Sequence, residues 1–309
     1  MPFHPGSPSS LRWSKESNAD AINRDRKPNR YTDPSEKRVT PQADIADARD
    51  QRLELFRARL VHPFNIGVPI VIFISVMSGD GNVVEAIGGA LVAMAVIAFI
   101  AMRRASREAR ESFFAAYAGA RGLEQHPDEH PPGVTPLLRM GDSRNAERVM
   151  TGTLPGGVDG ALAHYTYVDR SAENNRRAET GRFTIAVCSL PEVTGRILEL
   201  YCEPRSGCPS TGITGFRRRN KLQLESVALD RRYEIFYGVG DDENWLHQLH
   251  SPSFIIWLSE QTPEGFGFQL SNGYLCAFLP GHRSDAAGLD ALCEAASVIC
   301  RRVVEEVAE

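Results

Sequence analysis

Between Leu60 and Met77 the chain carries no formally charged residue, counting His62 as neutral, and between Ala86 and Met102 it again carries none. The runs are 18 and 17 residues long. At about 1.5 Å of rise per residue each helix covers roughly 26 Å, the low end of what a bilayer needs. Ser78-Gly79-Asp80-Gly81-Asn82 between them reads as a turn. The pattern predicts a transmembrane helical hairpin at about 60–77 and 83–102. A buried hairpin in a globular core is the alternative reading, but such cores rarely use two adjacent charge-free runs of this length. Pro63, Asn65 and Pro69 weaken the first segment and leave a re-entrant loop open there. Gly88, Gly89, Ala90, Ala93 and Ala98 give the second segment small residues where another helix approaches closely, or simply fill it.

Flanking charge sets the expected orientation. Arg52, Arg57 and Arg59 precede the first run, and Arg103, Arg104, Arg107 and Arg110 follow the second. The turn has no Lys or Arg and carries Asp80, with Glu85 close by. Positive residues stay inside, so both termini are expected in the cytoplasm of a multi-pass plasma-membrane protein.

On either side the chain differs in character. Residues 1–50 hold only isolated apolar residues such as Trp13 and Ile22, so the stretch is expected to be a disordered tail. Residues 51–110 hold a short juxtamembrane helix and the hairpin. From 111 to 309 a cytosolic α+β domain is expected. A helix continues through Phe113, Phe114 and Tyr117 to about Gly122, ended by a Pro-rich loop at 126–132. Strand-like runs follow at Glu147–Thr153, Ala161–Val168, Phe183–Leu190, Ile197–Glu203, Leu222–Val227 and Tyr233–Tyr237, with no clear crossover helix, which predicts an antiparallel sheet. Short helices are expected from Asp241 to Leu249 and from Ser251-Pro252 onward. Asn272-Gly273 between Phe266–Leu270 and Tyr274–Leu279 is a hairpin signal. A closing helix from Ser284 or Asp285 to about Val307 carries an apolar stripe that includes Leu289, Leu292, Cys293, Ile299, Cys300 and Val303.

Several of these signals occur in one order: Glu225-Ser226, then Tyr233-Glu234-Ile235-Phe236, the helix start Ser251-Pro252-Ser253-Phe254, and Phe268-Gln269-Leu270-Ser271-Asn272-Gly273-Tyr274-Leu275. That order resembles a bacterial membrane family catalogued only as a domain of unknown function, whose members place a cytosolic α+β domain behind two transmembrane helices. The resemblance implies an architecture. It implies no activity and no catalytic residue.

Candidate chemistry is sparse. Asp241, Asp242, Glu243, His247 and His250 form the densest set of potential metal ligands, without a recognised metal spacing, and an acidic, solvated helix start is the better reading of them. His126 and His130 flank Asp128 and Glu129 in a Pro-rich loop and invite the same discount. The six cysteines all follow residue 180, and inside a reducing compartment they are expected to be free thiols. Cys293 and Cys300 share a helix face, as buried small apolar residues do. Arg217, Arg218, Arg219 and Lys221 form the strongest basic run of the domain: a solvated edge, or a contact with anionic lipid headgroups. Gly281-His282-Arg283-Ser284 before a helix start is a weak anion signal.

No nucleotide loop, nucleophile elbow, kinase or metalloprotease motif is present, and the net charge of −4 gives no reason to expect nucleic acid. The expectation is a membrane-anchored cytosolic interaction or regulatory module. It needs no cofactor or metal, and its partners are the lipid bilayer and a protein of unknown identity. A membrane-surface enzyme or a small-ligand or lipid-binding domain is the alternative, and a transporter or pore fits least.

Overall fold

The computed structural model describes residues 83–126, 129–170, 179–195, 197, 199–205 and 220–308, without the side chains of 83–94 and 97. The predicted tail, the juxtamembrane helix, the first apolar segment and its turn lie outside the described residues, as do Arg217, Arg218 and Arg219.

The second apolar segment falls on α1, Val83–Arg121, one helix of 39 residues. It runs without a break from the apolar stretch into the globular part. Among the described residues no helix is long and apolar enough to cross a membrane. The helix ends where glycine permits a left-handed turn. Gly122 sits at φ +67, the Leu123 N–H donates to the Ala118 carbonyl at 2.9 Å, and the Gly122 N–H reaches Gly119 at 3.4 Å. These are the paired bonds of a Schellman cap, and Leu123 packs into the core behind it.

A nine-stranded antiparallel sheet follows, among the described residues. Its strands are β1 Glu124–Gln125, β2 Ser143–Leu154, β3 Val158–Asp169, β4 Glu179–Ser189, β5 Glu199–Pro204, β6 Asn220–Lys221, β7 Tyr233–Tyr237, β8 Gly267–Ser271 and β9 Tyr274–Pro280, in the order β1-β2-β3-β4-β9-β8-β5-β7-β6. The helices between them are α2 Pro136–Arg139, α3 Val227–Arg232, α4 Glu243–Leu249 and α5 Pro252–Glu260, and α6 Ala286–Ala308 closes the chain. The α+β class, the antiparallel sheet and the closing helix are therefore as the pattern predicts. Asn272 (φ 52) and Gly273 (φ 75) make the β8–β9 turn with both central residues left-handed.

Side chains alternate across the sheet and feed two cores. On one face, Met150, Leu162, Ala186, Cys188, Leu200, Phe268 and Leu275 pack against α6 and the C-terminal half of α1. The α6 stripe is the predicted one: Leu289, Leu292, Cys293, Ala296, Ile299, Cys300 and Val303 are all buried. On the other face Ala163, Tyr165, Tyr167, Phe183, Ile185 and Phe278 gather under Leu137 and Leu138 of α2.

One predicted strand is corrected. Leu222–Val227 is not a strand. Just ahead of it the pairing with β7 covers Asn220–Lys221, the Leu222 N–H makes a last bond to the Ile235 carbonyl at 2.9 Å, and the chain then turns so that the Ser226 hydroxyl accepts from the Leu229 N–H at 3.3 Å and caps α3. Leu222 and Leu224 are buried, so their alternation reports burial of an irregular segment. A Ser followed by a helical turn outweighs it. Ser251 also departs from expectation: it stands at the N-cap of α5 but makes no side-chain cap bond, its hydroxyl instead lying 3.2 Å from Ser253 Oγ.

Candidate functional site

The acidic and histidine cluster at 241–250 serves the local structure. Asp241 Oδ2 accepts the Gly238 and Glu199 N–H groups, and Asp242 Oδ1 caps α4 through Asn244 and Trp245. His250 is buried with Nδ1 2.8 Å from the Leu246 carbonyl, and burial pushes its pKa down to about 4. His126 lies 3.6 Å from Glu124, and Asp128 is outside the described residues. No cluster of three or more His, Cys, Asp or Glu suited to a metal occurs among the described residues. Cys188, Cys202, Cys276, Cys293 and Cys300 are free and buried. The sequence does not show that Cys188 of β4 packs in the same core as Cys293 and Cys300 of α6.

The basic residues separate. Arg103, Arg104, Arg107 and Arg110 are exposed along α1. Arg103 folds back with its guanidinium 4.8 Å from the Phe99 ring, and Arg107 pairs with Glu111 at 2.9 Å. Lys221 lies 3.0 Å from Glu234, a carboxylate it shares with Arg205 at 3.1 Å.

Where α1 meets the sheet, aromatic and basic side chains stack in a row. Arg148 lies over the Phe114 ring at 5.0 Å. Phe114 meets His164 edge-on at 4.9 Å, and His164 stacks on His282 at 4.4 Å. His164 Nε2 donates to the Arg283 carbonyl at 2.7 Å. Burial, then the neighbouring His282, pushes the His164 pKa down to about 3, so both rings are neutral near pH 7. Arg148 sits at φ 56 in a β-bulge of β2, which turns its side chain onto α1. The weak anion signal at 281–284 thus serves a docking contact.

The second sheet face carries a cleft. The chain from 129 to 142 lies over β2, β3 and β9, held by three bonds. Gln269 Oε1 accepts the Leu137 N–H at 2.9 Å. The Asp142 N–H reaches the Val168 carbonyl at 2.9 Å, and Asp142 Oδ2 accepts the Arg170 N–H at 2.8 Å. Gly141 (φ +73) is required there, because a Cβ would come within 2.7 Å of the Val168 carbonyl oxygen. The segment leaves a cleft of about 490 Å³ lined by residues that include His130, Leu138, Arg144, Asn145, Ala146 and Tyr165. Tyr165 is 3% exposed. Its hydroxyl is buried and has no hydrogen-bond partner among the described residues. Burial raises its pKa against the pull of the Arg144 cation.

No family model matches the chain, and no curated protein matches it. Among solved structures, the crystal structure of the mycobacterial trehalose monomycolate transport factor A is similar over 62% of this chain and 91% of that one, at 9% identity and a TM-score of 0.39. A likeness that distant leaves function to be argued from the chain's own residues.

Proposed function

We propose that this chain is a membrane-anchored module. Residues 60–77 and 83–102 cross the bilayer as a hairpin, both termini lie in the cytoplasm, and the α+β domain works at the membrane surface as an interaction or ligand-binding unit. One observation carries the reading. Val96, Phe99, Ile100 and Met102 are 50%, 58%, 47% and 43% exposed, one apolar band on a helix that a few residues later buries Ala105, Ala109, Phe113 and Tyr117 in the core. An exposed apolar stretch on a rigid element needs an apolar medium. Arg103 and Arg104 begin where the band ends, the place for cations at the cytoplasmic interface. The resemblance to a two-helix membrane family agrees with this arrangement. In this reading Arg217, Arg218 and Arg219 supply the contact with anionic headgroups, since Lys221 already pairs with Glu234.

The test is extraction and topology. The chain is expected to stay with membranes through an alkaline carbonate wash, and reporters fused at Asp50 and Glu309 are expected to read cytoplasmic while one at Gly81 reads outside. Release by carbonate, or an outside signal at Glu309, overturns the reading.

A further inference from the structure

We propose that the cleft between the 129–142 segment and strands β2 and β3 binds a small organic anion that carries an apolar group, an aryl or short alkyl carboxylate or phosphate. This does not rest on membrane anchoring, because every group involved belongs to the α+β domain. The volume of about 490 Å³ falls within the range of about 300–1,000 Å³ for small-molecule sites. Leu138, Ala146 and the Tyr165 ring give it a buried apolar wall.

The polar groups decide the sign of the ligand. A phenol buried without an acceptor costs the fold stability that phenylalanine would not forfeit, so the Tyr165 hydroxyl points to an acceptor supplied from outside. Arg144 lines the same cleft as Tyr165, two residues along β2 from Ala146, the residue paired with Tyr165, and it makes no ion pair within 4.0 Å among the described residues. Asp142, which also lines the cleft, turns one carboxylate oxygen to the Arg170 N–H, and the Asn145 amide N–H is spent on Glu147 at 2.9 Å, which leaves the donors facing the cleft to Tyr165 and Arg144. Tyr165 O–H and the Arg144 guanidinium together therefore present donors and positive charge to one acceptor, the pattern that selects an oxyanion. The apolar wall beside them accommodates the remainder of the molecule.

The experiment uses the full chain in detergent, with benzoate and phenyl phosphate as probes and benzyl alcohol and benzylamine as neutral and cationic controls. Thermal unfolding and the ¹³Cζ signal of Tyr165 in tyrosine-labelled protein are the readouts. One or both anions are expected to raise Tm and shift the Tyr165 signal, the controls to do neither, and the anion that acts identifies carboxylate or phosphate. Arg144→Gln and Tyr165→Phe are each expected to weaken that binding at least about tenfold, as loss of a hydrogen bond to a charged group does. Ligand-free Tyr165→Phe is expected to unfold at or above the parent temperature, because its hydroxyl satisfies nothing. The proposal is overturned if neither anion moves the Tyr165 signal or Tm, or if benzyl alcohol binds as well as the anions. It is equally overturned if ligand-free Tyr165→Phe is clearly less stable, which would mean that the hydroxyl is already bonded within the fold.

Discussion

Asp290 of α6 accepts the Tyr117 hydroxyl at 2.8 Å and the Arg121 Nε–H at 3.0 Å, while a second Arg121 nitrogen reaches its other oxygen. One carboxylate thus fastens the end of α1 to the closing helix. Tyr117 is buried, so Asp290→Ala strands its hydroxyl as well as the Arg121 fork. A loss of about 2–4 kcal/mol is expected, measured by denaturant unfolding; a midpoint equal to the parent's would mean that the contact contributes nothing. The His164–His282 stack gives the junction of α1 with the sheet a pH dependence. The pKa of His164 falls from its ordinary value of 6.5 to about 3 in the fold. The unfolded chain therefore binds the extra proton first, and stability falls as pH drops from about 6.5 towards 3. Buried His250 acts in the same direction. The groups that act on the pair are Arg110 of α1, Glu147 and Arg148 of β2 and Arg182 of β4. His164→Gln keeps an N–H for the Arg283 carbonyl and cannot titrate. It is expected to flatten the slope of Tm against pH between 4 and 7, and an unchanged slope would place the dependence elsewhere.

Among the elements, β5, β9 and α6 show what burial does to thiols. Burial pushes the Cys276 thiol up to about 12 and raises those of Cys202 and Cys293 too. Thiolates are the reactive form, so Cys202, Cys276 and Cys293 are expected to stay unmodified by N-ethylmaleimide until denaturant is added, as are Cys188 and Cys300, whose burial keeps the reagent away, read by peptide mass spectrometry. Replacing Cys293 and Cys300 by Ala is expected to cost about 1–2 kcal/mol each, as small core truncations do. That both would be buried was legible in the sequence, because period 3.6 marks the covered face of a helix. The β8–β9 hairpin was legible for an equally local reason, since Asn-Gly is the residue pair that a tight turn of this hand requires. The 129–142 segment was not. Leu137 and Leu138 are two apolar residues in a Pro- and Gly-rich stretch, and what seats them is a side chain from far along the chain, Gln269. The site was illegible for the same reason: alternation along β3 assigns Tyr165 to a face but does not say what covers that face or whether its hydroxyl finds a partner.

In the whole molecule, α1 carries an exposed apolar band ahead of its buried half, and that band separates the two accounts of the hairpin. If the helix stands in water, Val96 is an ordinary exposed position, and Val96→Arg changes little, since surface substitutions on a helix lie within about 0.5 kcal/mol. If the helix crosses a bilayer, Val96 lies about two turns inside the last apolar residue, Met102, at about 1.5 Å per residue. A charge there costs up to roughly 2.5–3.5 kcal/mol, reduced by the reach of the side chain to the interface. Ser106→Arg is the control, on the same helix but beyond Arg103 and Arg104, and it is neutral in both accounts. Val96→Arg is expected to lower the fraction of chain that resists carbonate extraction while Ser106→Arg does not. The melting of the α+β domain is expected to stay the same in both variants, because the Val96 side chain is half exposed and lies outside both cores. Equal extraction of the two variants would return α1 to water and leave its apolar band to be covered by protein.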